Sequence, residues 1–126
     1  MSNMLKILAL LTMILLSTAC ADERSSAARA TEALSRELRP ADADLAALYI
    51  RSCRSCHTVA ATGSPLTGDA AAWAERMDKG MNVLLDNVIN GYGGMPPFGL
   101  CMDCDAEQFE ALIRFMAEPV QASVAP

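Results

Sequence analysis

The chain has 126 residues, enough for one domain. Its formal charge is −5, with 15 acidic side chains against 10 basic ones. An acidic chain is a poor match for nucleic-acid phosphates, so that class of partner is excluded.

Residues 1–21 read as an export signal. Lys6 places positive charge near the start, the stretch to Leu16 is almost wholly apolar, and small residues follow from Ser17 to Ala21. That apolar core is short for a membrane span and fits a segment removed on export. Two processing patterns overlap there. Leu15-Leu16-Ser17-Thr18-Ala19-Cys20 resembles a lipobox, with Ser17 where such motifs usually carry Leu; it would make Cys20 a lipidated membrane anchor. Ala19-Cys20-Ala21 fits the A-x-A pattern and would discard Cys20. The expected location is the periplasm, soluble or lipid-anchored. Losing Lys6 moves the formal charge to −6, which serves solubility or complements a cationic partner.

Residues 22–40 are rich in Ala, Ser, Arg and Glu, with Leu34 and Leu38 as the only large apolar side chains. One i,i+4 pair makes no core face, so this segment is expected to be a polar, Ala-rich tether, partly helical at best. The compact domain is expected over residues 41–117 and a flexible tail over 118–126. Asp42 can cap a helix that carries Leu45, Leu48, Tyr49 and Ser52 on one side. Thr58 to Gly68 has no apolar period and reads as loop. Asp69 can cap a helix through Trp73 and Met77 that ends near Gly80. Met81, Leu84, Leu85 and Val88 keep helical spacing until Gly91. Gly91 to Cys104 is a Gly/Pro loop. Asp105 and Gln108 resemble a capping box, Phe109, Leu112, Ile113 and Met116 form a stripe, and Pro119 stops the helix. The prediction is an all-α fold of about four short helices with long connections. So small a domain rarely buries enough apolar surface alone, and a large apolar cofactor would complete its core.

Cys53-Arg54-Ser55-Cys56-His57 is the C-x-x-C-H pattern of covalent haem attachment. Two thiols three positions apart can each form a thioether to a haem vinyl group, and the next residue projects an imidazole at the iron. His57 is the only histidine. The same pattern occurs at zinc and redox sites, but the export signal and all-α pattern favour haem. Met95, in Gly91-Tyr92-Gly93-Gly94-Met95-Pro96-Pro97, is the candidate second iron ligand. Gly93 and Gly94 let backbone approach a flat group, and Pro96 holds Met95 out of helical geometry. Cys101 and Cys104 form a second pair. In an oxidising compartment a disulfide is the favoured reading; a redox-active dithiol and a four-thiol zinc site with Cys53 and Cys56 are the rivals.

From Leu45 to Ala117 the sequence resembles the cytochrome c5 family of small bacterial class I cytochromes. The resemblance is carried, in order, by Cys53-x-x-Cys56-His57, Gly63-Ser64-Pro65-Leu66-Thr67-Gly68-Asp69, Trp73, Gly91-Tyr92-Gly93-Gly94-Met95-Pro96-Pro97 and Cys101-x-x-Cys104. It implies a class I cytochrome c fold with one low-spin haem c ligated by His57 and Met95. It also implies a Cys101–Cys104 disulfide and a Pro65 carbonyl that accepts the Nδ1 proton of His57. Trp73 has two open roles: its indole N–H donates to a haem propionate, or it packs with that N–H on backbone or water. The expected function is single-electron transfer in a respiratory chain, without substrate turnover. The expected partners are redox proteins: an oxidase, a reductase or a dehydrogenase.

Overall fold

The computed structural model describes residues 26–119. The expected export signal, Cys20 and the residues from Val120 lie outside the described residues.

Residues 26–37 form a helix, α1. A second helical run begins with α2, Ala43–Leu48, whose N-terminus is capped by Asp42 accepting from Leu45 N at 2.8 Å. The run continues through a π-helical turn, Tyr49–Cys53, into α3, Arg54–His57. A 3₁₀ turn at Ala60–Thr62 interrupts the loop that follows. Helix α4, Ala70–Met77, starts where Asp69 accepts from Ala72 N at 3.1 Å. Helix α5, Met81–Asn90, ends at Gly91. A 3₁₀ turn at Pro97–Leu100 leads to α6, Ala106–Ala117. The capping box on α6 is complete: Gln108 N donates to Asp105 Oδ1 at 2.8 Å, and Asp105 N to Gln108 Oε1 at 3.0 Å. Glu118, before Pro119, is extended, which ends the helix. Among the described residues there is no strand, only an isolated bridge between Tyr92 and Met95.

Helix α6 packs against α2, α4 and α5. Its stripe of Phe109, Leu112, Ile113 and Met116 is buried throughout. Tyr49, Trp73 and Leu84 complete the core with Leu112, Ile113 and Met116. The Tyr49 and Phe115 rings meet edge-on at 5.0 Å.

The family-sized domain expected from Ala41 is extended at its N-terminus by ordered structure. The compact unit begins at Thr31, and residues 31–37 are helix rather than tether. Ser35 is completely buried and donates from Oγ to His57 O at 3.1 Å. Arg36 Nε donates to Thr58 O at 3.4 Å, and Ala60 N donates to Glu32 Oε2 at 3.3 Å. The segment docks through hydroxyl, guanidinium and carboxylate groups while Leu34 stays half-exposed. An apolar count therefore could not find it.

Candidate functional site

The π-helical turn immediately before Cys53 is the kind of helix irregularity that gathers at functional positions. It leaves Ser52 Oγ buried with no protein partner. Cys53 is half-buried, Cys56 is exposed and His57 is buried. Burial pushes the Cys53 thiol up to about 11, against the nearby Arg51 guanidinium and with a smaller push from Cys56. The group is therefore a protonated thiol rather than a reactive thiolate. Burial holds the His57 pKa below its ordinary value, opposed by the Pro65 hydrogen bond and reinforced by Arg76. A neutral imidazole is the form that ligates metal.

His57 Nδ1 lies 2.8 Å from Pro65 O. A carbonyl only accepts, so Nδ1 carries the proton and Nε2 keeps the free lone pair. The Trp73 ring stacks beside the imidazole, centroids 5.8 Å apart and planes 26° apart. Of the two roles open to the indole N–H, the structure has the backbone one: Nε1 donates to Leu66 O at 2.9 Å. The propionate role is corrected accordingly. That donor ties the Pro65-Leu66 loop to α4, a use the sequence around Trp73 could not reveal.

Met95 closes a tight turn, with Met95 N donating to Tyr92 O at 2.9 Å and Tyr92 N to Met95 O at 3.1 Å. Gly93 and Gly94 form its tip, and a Cβ on either would meet no atom within 4 Å. The two cysteines 101 and 104 have Cα atoms 5.4 Å apart and sulfurs at bonding distance. Arg51 Nη2 lies 3.5 Å from Cys101 Sγ and donates to both Asp103 carboxylate oxygens at 2.7 Å. The four-thiol zinc site is not assembled: among the described residues no three His, Cys, Asp or Glu side chains come together as metal ligands.

A cleft of about 380 Å³ brings the remaining candidates together, within the range of cofactor sites. Cys53, Cys56, His57, Pro65, Trp73 and Met95 all line it. Leu84 and Val88 of α5 and Leu112, Ile113 and Met116 of α6 add apolar walls. The residues fit a haem. Two thiols and an imidazole with Nε2 available face one largely apolar cavity, the Gly93-Gly94 tip leaves room at its rim, and Ser52 Oγ is an unpaired polar atom in its wall. Sequence reasoning missed Ser52 and Arg76 as lining residues. Arg76 follows Trp73 by three positions, so helical spacing alone could have placed it on that face.

The family profile described as Cytochrome C oxidase, cbb3-type, subunit III matches residues 40–116. Cytochrome c5 of Ectopseudomonas mendocina is 38% identical over 72 residues, 56% of this chain and 83% of that protein. Cytochrome c5 of Azotobacter vinelandii is 37% identical over 76 residues, 59% of this chain and 88% of that one. A chain of the crystal structure titled as an electron transfer complex of nitrite reductase with cytochrome c is also similar. It has a TM-score of 0.53 and 33% identity, over 60% of this chain and 93% of that chain. Short helices packed around a C-x-x-C-H cleft, with no strand among the described residues, are the architecture of class I c-type cytochromes, electron carriers with one covalently bound haem c. The chain belongs to this cytochrome c family, as a cytochrome c5-like member.

Proposed function

We propose that the chain is a periplasmic single-electron carrier of a respiratory chain, with a low-spin haem attached to Cys53 and Cys56 and ligated by His57 and Met95. The observation that carries this reading is the convergence of those four residues on one apolar cleft, with His57 Nδ1 held on Pro65 O at 2.8 Å. Bound haem supplies reversible one-electron exchange at its iron.

The chain's own groups set how that exchange runs. Pro65 O fixes the imidazole tautomer and ring orientation, so Nε2 would stay available to hold the iron. The Met95 thioether is a weak donor and favours the reduced state, raising the potential. The apolar walls from α5 and α6 exclude water and penalise the additional positive charge of the oxidised state in the same direction. His57 and Met95 would both hold the iron and would leave oxygen and peroxide no ready site, which supports a carrier over an oxidase or peroxidase. Cys101 and Cys104, joined as a disulfide, stiffen the loop after Met95.

Partners of this carrier are redox proteins that meet the exposed edge of the cleft, where Tyr92 and Leu100 stand in solvent beside Gly93 and Gly94. Small, quickly dissolving interfaces suit such exchange. A membrane anchor through Cys20 is part of the proposal only if the mature protein carries acyl chains; its mass decides that.

The test is an absorption spectrum, oxidised and reduced, of protein matured in a bacterial periplasm, with a haem stain on a denaturing gel. Sharp reduced low-spin bands, haem that survives denaturation and a ferric sulfur–iron band are expected. A high-spin spectrum would remove Met95 as ligand, and absence of covalent haem would remove the reading altogether.

A further inference from the structure

A short helix ends in carbonyls that have no partner within the helix. Helix α3 has four residues, so this shortage falls on the backbone around His57. Part of it is met locally. Thr58 Oγ1 donates to Arg54 O at 2.8 Å, and Val59 N and Thr62 Oγ1 donate to Cys56 O at 3.2 and 2.9 Å. The rest is met from α1. Ser35 Oγ donates to His57 O at 3.1 Å and Arg36 Nε to Thr58 O at 3.4 Å. Two further bonds flank these: Arg54 Nη2 donates to Arg36 O at 3.0 Å, and Ala60 N to Glu32 Oε2 at 3.3 Å.

The other donor to His57 O is Thr67 N, at 2.7 Å. Thr67 belongs to the loop that carries Pro65, whose carbonyl receives His57 Nδ1. The peptide carbonyl of His57 is thus held from two sides, by α1 and by the loop that orients its ring. The span matched by the family profile begins at residue 40, so α1 lies outside it.

We propose that α1 is a clamp on the haem-attachment segment and that Ser35 is a positioning residue for His57, its hydroxyl fixing the carbonyl so that the ring stays on Pro65 O. This rests on the reading of His57 as iron ligand. A firm Nδ1–H···O bond makes a ligating imidazole a stronger donor. A stronger donor favours the oxidised state, so a loosened clamp raises the midpoint potential.

The experiment uses the full-length holoprotein with Ser35→Ala. Alanine is the best helix former, so the substitution removes the hydroxyl without weakening α1. Thr67 N–H is expected to exchange with solvent about fivefold faster, the change that loss of one ordinary hydrogen bond gives. The midpoint potential is expected to rise. Leu34→Ala, on the half-exposed side of α1, is expected to leave both unchanged. Unaltered Thr67 exchange and potential in Ser35→Ala would overturn the proposal, as would equal changes in Leu34→Ala. The wild-type spectrum tests the ligand reading separately: a high-spin spectrum removes Met95 and leaves His57 on the iron, whereas absence of covalent haem removes the His57 reading, and in either case Thr67 exchange still decides the clamp.

Discussion

The Tyr49 hydroxyl lies 2.9 Å from the Thr67 hydroxyl, and both residues are completely buried. Thr67 N in turn holds His57 O, so Tyr49 braces the loop that orients the histidine. Tyr49→Phe keeps the ring on Phe115 and removes the bond, leaving Thr67 Oγ1 without it. Chemical denaturation should show a loss of about 1–3 kcal/mol. Burial also raises the Tyr49 pKa above its ordinary 10.0, against the Thr67 bond. A folded pKa above the unfolded one means that the fold favours the neutral phenol. Its contribution is complete below the unfolded pKa and is lost as pH rises through the folded one. Wild-type stability should therefore fall on the alkaline side of about pH 10 by a component that Tyr49→Phe lacks.

Gly91 ends α5 at φ +81°, a region L side chains rarely adopt. A Cβ there would stand 2.9 Å from Met95 O and 3.0 Å from Pro97 N, both backbone atoms that cannot swing aside. Gly91→Ala should cost about 1–3 kcal/mol from backbone strain alone. It should also push the Met95 turn away from the cleft. The expected result in the holoprotein is a weakened ferric sulfur–iron band alongside a lower melting temperature. A stability loss with an unchanged band would mean that the turn absorbs the displacement elsewhere.

Met95→His exchanges a weak thioether donor for a stronger imidazole on the same turn. Redox titration should give a lower midpoint potential, by part of the ~0.8 V span that axial ligands cover. The sulfur–iron band should vanish while covalent haem on Cys53 and Cys56 persists. A variant with an unshifted potential would remove Met95 from the iron.

Most of the site was legible because its geometry is local. C-x-x-C-H fixes three groups on one short helical stretch, and Asp42, Asp69 and Asp105 announce their helices by side-chain chemistry that needs no tertiary context. The stripe from Phe109 to Met116 places its own buried face. Three features were not legible, each because a polar group chose a partner that only the tertiary fold brings near. Ser35 reaches His57 O across 22 positions, Trp73 Nε1 turns to Leu66 O, and Tyr49 meets Thr67. Phe98 and Leu100 adopt positive φ without being glycine, which no propensity would select. They sit in the turn that joins the cleft rim to Cys101, where tertiary contacts with Phe109 and α5 override local preference.

Cys101 and Cys104 give the last prediction. Oxidised in the exported protein, they should leave no thiol reactive toward an alkylating reagent once Cys53 and Cys56 carry haem. Their bridge closes a loop of only three positions, so the chain-entropy effect is small, about 2 kcal/mol. Cys101 is fully buried and Cys104 half-buried, so replacing both by Ser adds the cost of a buried hydroxyl and is the harsher variant. Both by Ala isolates the bridge. That double variant should melt lower and retain covalent haem. Its Met95 band should weaken on mild heating at temperatures where the wild type keeps it, because the chain between the Met95 turn and α6 has lost its brace. Equal loss of both signals at a single temperature would mean that the bridge stabilises the whole domain and not the loop.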